Sequence, residues 1–394
     1  MDCSFIKNIS DPSIKNILFC GCGGGFDFTH SSILIPLLKK LEKKLIFASF
    51  SFTEQNLLPP NRKLYYQFKN KKSNCHIVKS DKSWDDKKIE KIEAPEVHFI
   101  KVLNQNYPQE DHFIYSMSAN YYNTKMLKEL YEKIINDNQI DAIIAIDGGS
   151  DSLMKGNEHF LGSIVEDSVT ISAISNIKLK RIKQKILGCI GMGCDRFHGV
   201  SDAATFRAIS ELKRSDGFLG GIIIETNHEG YKLYKKIINE TNTKQEFHSI
   251  IANSVVASVE GSNIVPQAIQ QRVSPEMDFW PLMGIFWFFN CEKVYERSEI
   301  CKVIENEDDP VQAIDKYRNS IQILPMENLP KTNFPSESPT QEHITKLISS
   351  IRFEFKKLSL MVGPPSNPNV WIPNNFFNFF KAISKSISAF PPKT

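Results

Sequence analysis

Asn16-Ile17-Leu18-Phe19-Cys20-Gly21-Cys22-Gly23-Gly24-Gly25-Phe26-Asp27 joins an apolar run to four glycines and a carboxylate. This pattern predicts a buried strand, a tight loop and then a helix. Glycines in such a loop can adopt positive φ angles and let a ligand approach the backbone, and the N–H groups of the next helix favour an anion. We therefore expect an anion-binding loop, although a purely structural turn would need the same glycines.

The residues after this loop predict a parallel strand-helix-strand unit. Apolar residues have helical spacing over 31–41, with Pro36 tolerable only near the first turn, and 44–50 is a second apolar run. Parallel strands joined in this way are connected by a right-handed crossover. We expect this unit to begin an α/β domain in which helices pack on both faces of a parallel sheet.

The rest of the chain continues this alternation. We expect strands at 97–103, 141–146, 185–190, 218–224 and 279–289, and helices at 125–136, 166–177, 202–213, 229–239, 309–320 and 340–357. The pattern predicts a Rossmann-like three-layer α/β/α domain with a mostly parallel sheet over residues 1–300. We interpret the lysine-rich segment 59–93 as an insertion on the surface, and residues 301–394 as a helical and Pro-rich C-terminal extension that packs on the domain.

Composition excludes several classes of function. The 48 basic and 45 acidic residues give a net charge of +3, so no strong field favours nucleic acid or an anionic membrane as a partner. The longest apolar run, 281–289, is too short to span a bilayer. The 8 cysteines lack the paired spacing of a zinc site or a disulfide framework, which favours reduced thiols and a cytoplasmic location.

Polar residues follow each predicted strand end. Because the carboxyl ends of parallel strands share one edge, these loops should converge on one ligand-binding cleft. We predict Asp27, Asp147 and Asp151 as catalytic residues. The predicted ligand-binding residues are Gly23, Gly24, Gly25, Phe26, Asn120, Gly148, Gly149, Ser150, Asp195, His198 and Asn227.

Three motifs together resemble a known family. They are Gly21-Cys22-Gly23-Gly24-Gly25-Phe26-Asp27, Asp147-Gly148-Gly149-Ser150-Asp151 and Ser163-Ile164-Val165-Glu166-Asp167. In this order they resemble an uncharacterised Rossmann-like domain-of-unknown-function family of archaea, bacteria and protists, over about residues 14–300, which implies the fold but no reaction. The first loop also resembles the phosphate-binding loop of ADP-ribose-binding macrodomains, whose acidic residue serves the distal ribose.

The residues exclude two familiar nucleotide chemistries. A nicotinamide dehydrogenase fingerprint needs glycine where the chain has Phe26, and an acid where it has Ser49 and Ser51. A phosphate-binding P-loop needs a lysine that neither glycine loop contains. Metal-bridged phosphate chemistry stays open, because Asp147 and Asp151 could hold Mg²⁺ or Ca²⁺ through oxygen ligands.

The remaining hypothesis uses the residue types that are present. Glycine N–H groups would hold a diphosphate, while carboxylates engage ribose hydroxyls, activate water and stabilise an oxocarbenium-like transition state. We therefore expect a hydrolase that binds a nucleotide-diphosphate sugar, foremost ADP-ribose, and cleaves a glycosidic bond to ribose, with ADP-ribosylated protein as one candidate substrate. The alternatives are a non-catalytic nucleotide-binding or sensing module and a metal-dependent phosphate-ester enzyme. The hypothesis itself requires no metal cofactor, and Mg²⁺ is the candidate if there is one.

Overall fold

A computed structural model describes residues 3–53, 58, 62–69, 73–80, 94–118, 122–275 and 277–326. These residues belong to one compact unit, Met1–Leu329. The helix predicted at 340–357 and most of the predicted C-terminal extension lie outside the described residues. The domain boundary at residue 300 stays a prediction.

The described residues form one nine-stranded sheet. Its strands are β1 (Asn16–Gly21), β2 (Lys44–Ser51), β3 (Lys63–Gln67), β4 (Asn74–Val78), β5 (Ile114–Ser118), β6 (Ala142–Gly148), β7 (Gln184–Ile190), β8 (Phe218–Ile223) and β9 (Ile285–Asn290). They are ordered β3-β4-β5-β2-β1-β6-β7-β9-β8. Only β4 and β9 run against the other seven strands, so the sheet is mostly parallel.

Helices cover both faces of this sheet. They are α1 (Ser4–Ile9), α2 (Ile35–Lys40), α3 (Pro95–Asn106), α4 (Thr124–Asn138), α5 (Ile164–Ser175), α6 (Asp202–Arg214), α7 (Glu229–Lys244), α8 (Ile250–Val259), α9 (Cys291–Arg297), α10 (Glu299–Ile304) and α11 (Pro310–Ser320). Alternate residues of β6 enter different cores: Ile143 packs on the side of α4 and α5, and Ile144 on the side of α3 and α7. The expected three-layer α/β fold is confirmed.

The strand order at the centre of the sheet leaves a crevice in which a ligand can bind. β1 pairs with β2 on one side and with β6 on the other, in parallel on both sides. The chain therefore reverses its direction of travel across the sheet between these strands, and such a switch point leaves a crevice at the carboxyl ends of the strands. The loops that follow β1 and β6 lie side by side at this crevice.

Residues 97–103 are helical, so the strand predicted there is wrong. They belong to α3, which begins at Pro95 and carries Glu96 in its first turn. Proline at the first helical position and an acid near the N-terminus both favour a helix start. The helix is buried on several sides, so its apolar residues do not recur at helical spacing. A short apolar run without this spacing cannot be told from a strand by sequence alone.

The segment 59–93 contributes strands that the lysine-rich composition concealed. β3 and β4 form an antiparallel pair, and β4 continues the sheet from β5. Cys75 and Val78 of β4 are buried, so the described part of this segment is not a surface excursion. Residues 59–61, 70–72 and 81–93 lie outside the described residues.

Two predicted elements are shorter than expected. The helix at 31–41 divides into a 3-10 turn, Asp27–Ile33, and α2, whose first turn contains Pro36. The strand predicted at 279–289 begins only at Ile285, after a second 3-10 turn at Pro281–Gly284. In both cases proline starts a new helical turn because its fixed φ suits that position.

The cysteines have the reduced state that the sequence analysis predicts. All eight cysteines are free, and all except Cys3 are buried. Among the described helices, none combines the length and the apolar character needed to cross a bilayer.

Candidate active-site cleft

A cleft of about 590 Å³ opens at the carboxyl ends of β1 and β6. The glycine loop after β1 forms one side, and the start of α5 and the segment 245–251 before and within α8 form the others. The lining residues are Gly23, Gly24, Gly25, Phe26, Asp27, Phe52, Thr53, Pro95, Asp147, Gly148, Asp151, Ser163, Glu166, Asp167, His198, Gln245, Phe247, His248, Ser249, Ile250, Ile251 and Arg272.

Three carboxylates meet at the base of this cleft. Asp27 begins the 3-10 turn after β1, Asp147 lies at the end of β6, and Asp167 lies in the first turn of α5. Each offers a carboxylate oxygen, and these oxygens lie within 4.8 Å of one another. We call Asp27, Asp147 and Asp167 the acidic triad. Asp151 and Glu166 line the same cleft and bring two further acids to it.

Hydrogen bonds fix three of these acids. The Gly23 N–H donates to Asp27 Oδ2 at 2.9 Å, and the Ser163 N–H donates to Asp151 Oδ2 at 2.8 Å. The Ser152 hydroxyl donates to Asp147. Within the described part of the chain, no lysine or arginine forms an ion pair with the acidic triad. Among the residues that the structure describes, no side-chain cation therefore balances the negative charge of the triad.

Burial and like charge raise the pKa of every acid in the triad. Burial and the charge of Asp151 raise the pKa of Asp27, and the N–H groups of Gly148 and Gly23 offset part of this rise. Burial and the neighbouring aspartates likewise raise the pKa values of Asp147 and Asp167 well above the ordinary range. Because adjacent carboxylates resist simultaneous ionisation, the cluster retains a proton while other members are ionised.

Two glycines make room for these carboxylates. A Cβ at Gly23 would lie 2.5 Å from Asp167 Oδ1 and 2.7 Å from Asp27 Oδ2. A Cβ at Gly148 would lie 2.8 Å from both Asp27 Oδ1 and His30 Nε2. Glycine at these positions therefore serves the close approach of acidic side chains, in addition to any ligand.

This crowding gives a direct prediction for Gly23→Ala. The methyl group would force the carboxylates of Asp27 and Asp167 apart, and overpacking of this kind costs about 1–3 kcal/mol. We expect a lower melting temperature in thermal unfolding monitored by circular dichroism. Gly24→Ala is the matched control, because the three atoms nearest to its Cβ belong to the ring of Phe52, which is 54% exposed and has solvent to move into. Equal melting temperatures for the two variants would contradict the role assigned to Gly23.

The opposite end of the cleft carries basic groups. Both ring nitrogens of His248 face backbone carbonyl oxygens, that of Ala268 at 2.9 Å and that of Gln245 at 2.8 Å. The Arg272 guanidinium donates a hydrogen bond to the carbonyl oxygen of His248. Helix α8 begins two residues later, at Ile250. This end suits an anionic group of a ligand.

Two aromatic rings lie on the wall of the cleft. Phe52 is 54% exposed and Phe247 is 69% exposed. Phe52 lies over Gly24 and Gly25, whose lack of side chains brings the ring close to the loop. Exposed phenylalanines beside a cleft provide flat apolar surfaces on which a planar ring can stack.

The structure brings most of the predicted site residues together. Asp27, Asp147, Asp151, Gly23, Gly24, Gly25, Phe26, Gly148 and His198 all line the cleft. Asp195 is buried behind it and accepts the Ser150 N–H at 2.6 Å, and Gly149 faces the same carboxylate. Among the described residues, Asn227 is exposed and is not part of the lining. Asn120 lies outside the described residues.

Several lining residues were not predicted as site residues. Glu166 and Asp167 appeared in the sequence only within a family motif, although two acids in the first turn of a helix are a recognisable pattern. Gln245, His248 and Arg272 come from segments around α8, which do not directly follow a strand of the sheet. The strand-end rule therefore could not find them.

Comparison with known proteins places the chain in one family. The model of a family described as "Protein of unknown function (DUF1152)" matches residues 18–325, which is more than half of the chain and includes every residue of the cleft. No curated protein and no solved structure matches the chain. The match covers the glycine loop, the acidic triad and α8 alike. The chain therefore belongs to the DUF1152 family of proteins of unknown function.

Proposed function

We propose that the protein is a hydrolase that binds a nucleotide-diphosphate sugar, foremost ADP-ribose or a group that contains it, and cleaves a glycosidic bond to ribose. The observation that carries the proposal is the set of five acids, Asp27, Asp147, Asp151, Glu166 and Asp167, that line a single cleft. Hydrolysis of such a bond needs a proton donor, a base for water and a negative environment for the cationic transition state.

The acids differ in ways that suit these roles. Burial first and the charges of neighbouring acids next raise the pKa of Asp167, which favours the protonated form of its carboxyl group. Burial also raises the pKa of Glu166, while hydrogen bonds from Ser163 oppose the rise at Asp151. A protonated and an ionised carboxyl group can therefore coexist in this cleft, as acid and base. The remaining negative charge stabilises an oxocarbenium-like transition state.

The charge distribution suggests how the ligand lies. Ribose would lie over the acidic triad, and the diphosphate would lie toward His248, Arg272 and the N-terminus of α8, because phosphates next to the triad would be repelled. The base would stack on Phe52 or Phe247. The acidic residue of the similar macrodomain loop serves the distal ribose, and this resemblance of the Gly21–Asp27 loop supports ribose beside Asp27.

The test is a substrate panel with the full-length chain. ADP-ribose, NAD, nucleotide sugars and an ADP-ribosylated protein are incubated with the purified protein, with and without added Mg²⁺, and products are resolved by ion-pair chromatography. We expect release of ADP-ribose from NAD or from the ADP-ribosylated protein. Calorimetric binding of ADP-ribose without any turnover would favour a nucleotide-sensing module. Cleavage of phosphate esters with intact glycosidic bonds would favour a phosphate-ester enzyme.

A further inference from the structure

We propose that the acidic triad binds one divalent cation of the Mg²⁺ or Mn²⁺ class. Asp27, Asp147 and Asp167 would each supply one carboxylate oxygen, and the open side of the triad faces the cleft. This proposal does not depend on the proposed hydrolase activity. Cation binding can be measured without a substrate, and the site would be present whichever reaction takes place in the cleft.

The distances suit a hard cation. The three oxygens lie within 4.8 Å of one another. Oxygen ligands bind such ions at about 2.0–2.6 Å, so two ligands of one ion are separated by at most about 4–5 Å. Small rotations of the aspartate side chains would therefore bring all three oxygens onto one ion. The glycines at positions 23 and 148 leave the space that this approach requires.

The described surroundings of the triad supply no side-chain counter-ion for its charge. Among the described residues, no lysine or arginine pairs with any of the three acids. Buried carboxylates without a cationic partner are costly, and coordination of a metal ion is one of the usual ways in which proteins offset that cost. A divalent cation would compensate the negative charge and leave positions for water or a ligand.

Two buried polar side chains, one in the lining of the cleft and one beside Asp27, point independently to a ligand. Gln245 is only 7% exposed and lines the cleft, yet its Oε1 has no hydrogen-bond partner within the described structure. An amide oxygen is a ligand that Mg²⁺, Mn²⁺ and Ca²⁺ accept, directly or through water.

The second side chain is His30, which is 0% exposed and has no hydrogen-bond partner on either ring nitrogen within the described residues. Its Nε2 and Asp27 Oδ1 both lie 2.8 Å from the same point, the Cβ position at Gly148, so the ring is directed at the triad. Carboxylates that bind metals usually accept a hydrogen bond from a neighbouring residue that orients them. His30 is placed to orient Asp27 in this way.

The experiment uses Mn²⁺, whose sharp paramagnetic resonance spectrum in solution broadens when the ion binds protein. The full-length chain is stripped with chelator, desalted and titrated with Mn²⁺ alone. We expect one ion per chain and a rise in Tm of at least about 2 °C at saturation. Asp167→Asn should weaken the affinity at least about tenfold, and added Mg²⁺ should displace the bound Mn²⁺.

Controls separate the site from general surface binding and from misfolding. Asp315→Asn removes an exposed acid on α11 and should bind Mn²⁺ as the unmodified chain does. Asp147→Asn provides a second triad variant, and circular dichroism checks that each variant is folded. No Mn²⁺ binding up to about 1 mM by the unmodified chain, or unchanged affinity in both folded triad variants, would overturn the cation site.

The outcome is independent of the proposed reaction. Mn²⁺ binding without hydrolysis of any compound in the panel would support the cation site and contradict the proposed hydrolase activity. Hydrolysis in chelator by a chain that binds no Mn²⁺ would uphold the hydrolase and remove the cation site.

Discussion

Asp167→Asn should raise the melting temperature of the chain in the presence of chelator. Burial first, and then the charges of Asp151, Asp147 and Asp27, raise the pKa of Asp167 in the folded protein. Its ionised form is therefore disfavoured by folding at neutral pH, and asparagine removes the charge while keeping the shape. We therefore expect a gain in the free energy of unfolding of the folded variant over the unmodified chain at neutral pH.

The pH dependence of this gain has a defined sign. A carboxyl group whose pKa is raised by folding binds its proton more tightly in the folded chain than in the unfolded chain. Its contribution to stability is fully present below the ordinary pKa of aspartate and is lost as the pH rises through the raised value. Urea unfolding across the acidic to neutral range should therefore show a smaller loss of stability with rising pH in Asp167→Asn than in the unmodified chain.

Asp141→Asn is the matched control with the opposite sign. Burial alone would raise the pKa of Asp141, but the N–H groups of Asn16 and Lys15 and the Arg181 guanidinium lower it below the usual value. Its charge is therefore stabilising, and the asparagine variant should melt at a lower temperature. A decrease in melting temperature for Asp167→Asn of the same size would mean that the acidic triad is held by interactions that favour its charge.

Asp151→Asn should have the largest effect on catalysis among single substitutions outside the triad. Asp151 lines the cleft, and the Ser163 N–H and hydroxyl hold its Oδ2 at 2.8 and 3.0 Å. A carboxylate fixed in this way can act as an acid or a base, and loss of such a group typically costs about 10²–10⁴ in rate. We expect a decrease of this order in kcat/KM for the compound that the panel identifies, and the loss of one limb of the pH–rate profile.

Asp195→Asn provides the comparison for this variant. Asp195 is also a buried acid, and burial first and then Asp151 raise its pKa, but its carboxylate accepts the Ser150 N–H behind the cleft. We expect its substitution to change the melting temperature more than the turnover. Full activity of Asp151→Asn, measured beside a folded Asp195→Asn, would remove Asp151 from the reaction.

The central part of the fold could be predicted because its strands are buried on both faces. β6 contains the apolar run 142–146 and β7 the apolar run 186–190, and such runs are the pattern of inner parallel strands. The outer elements lacked this pattern. β3 and β4 are five residues each and carry lysine or asparagine, and α3 is buried on too many sides to show a helical stripe.

The site could be predicted only where it follows the strands. Asp27, Asp147 and Asp151 were expected to meet because the carboxyl ends of β1 and β6 share an edge, and all three line the cleft. The strand-end rule did not identify Asp167, because this residue lies at the start of a helix. His30 was not predicted as a site residue, and only the three-dimensional structure places its ring beside Asp27.

The position of β9 has a consequence for synthesis of the chain on the ribosome. β7 and β8 are made first, but each pairs with β9 and neither pairs with the other. Until residues 285–290 emerge, a nascent chain would present the hydrogen-bonding groups of β7 on an open edge. Unpaired edges of apolar strands invite association between unfinished chains. Completion of the described sheet therefore depends on β9, the last of its nine strands to be translated, so this sheet closes only after residue 290 has emerged.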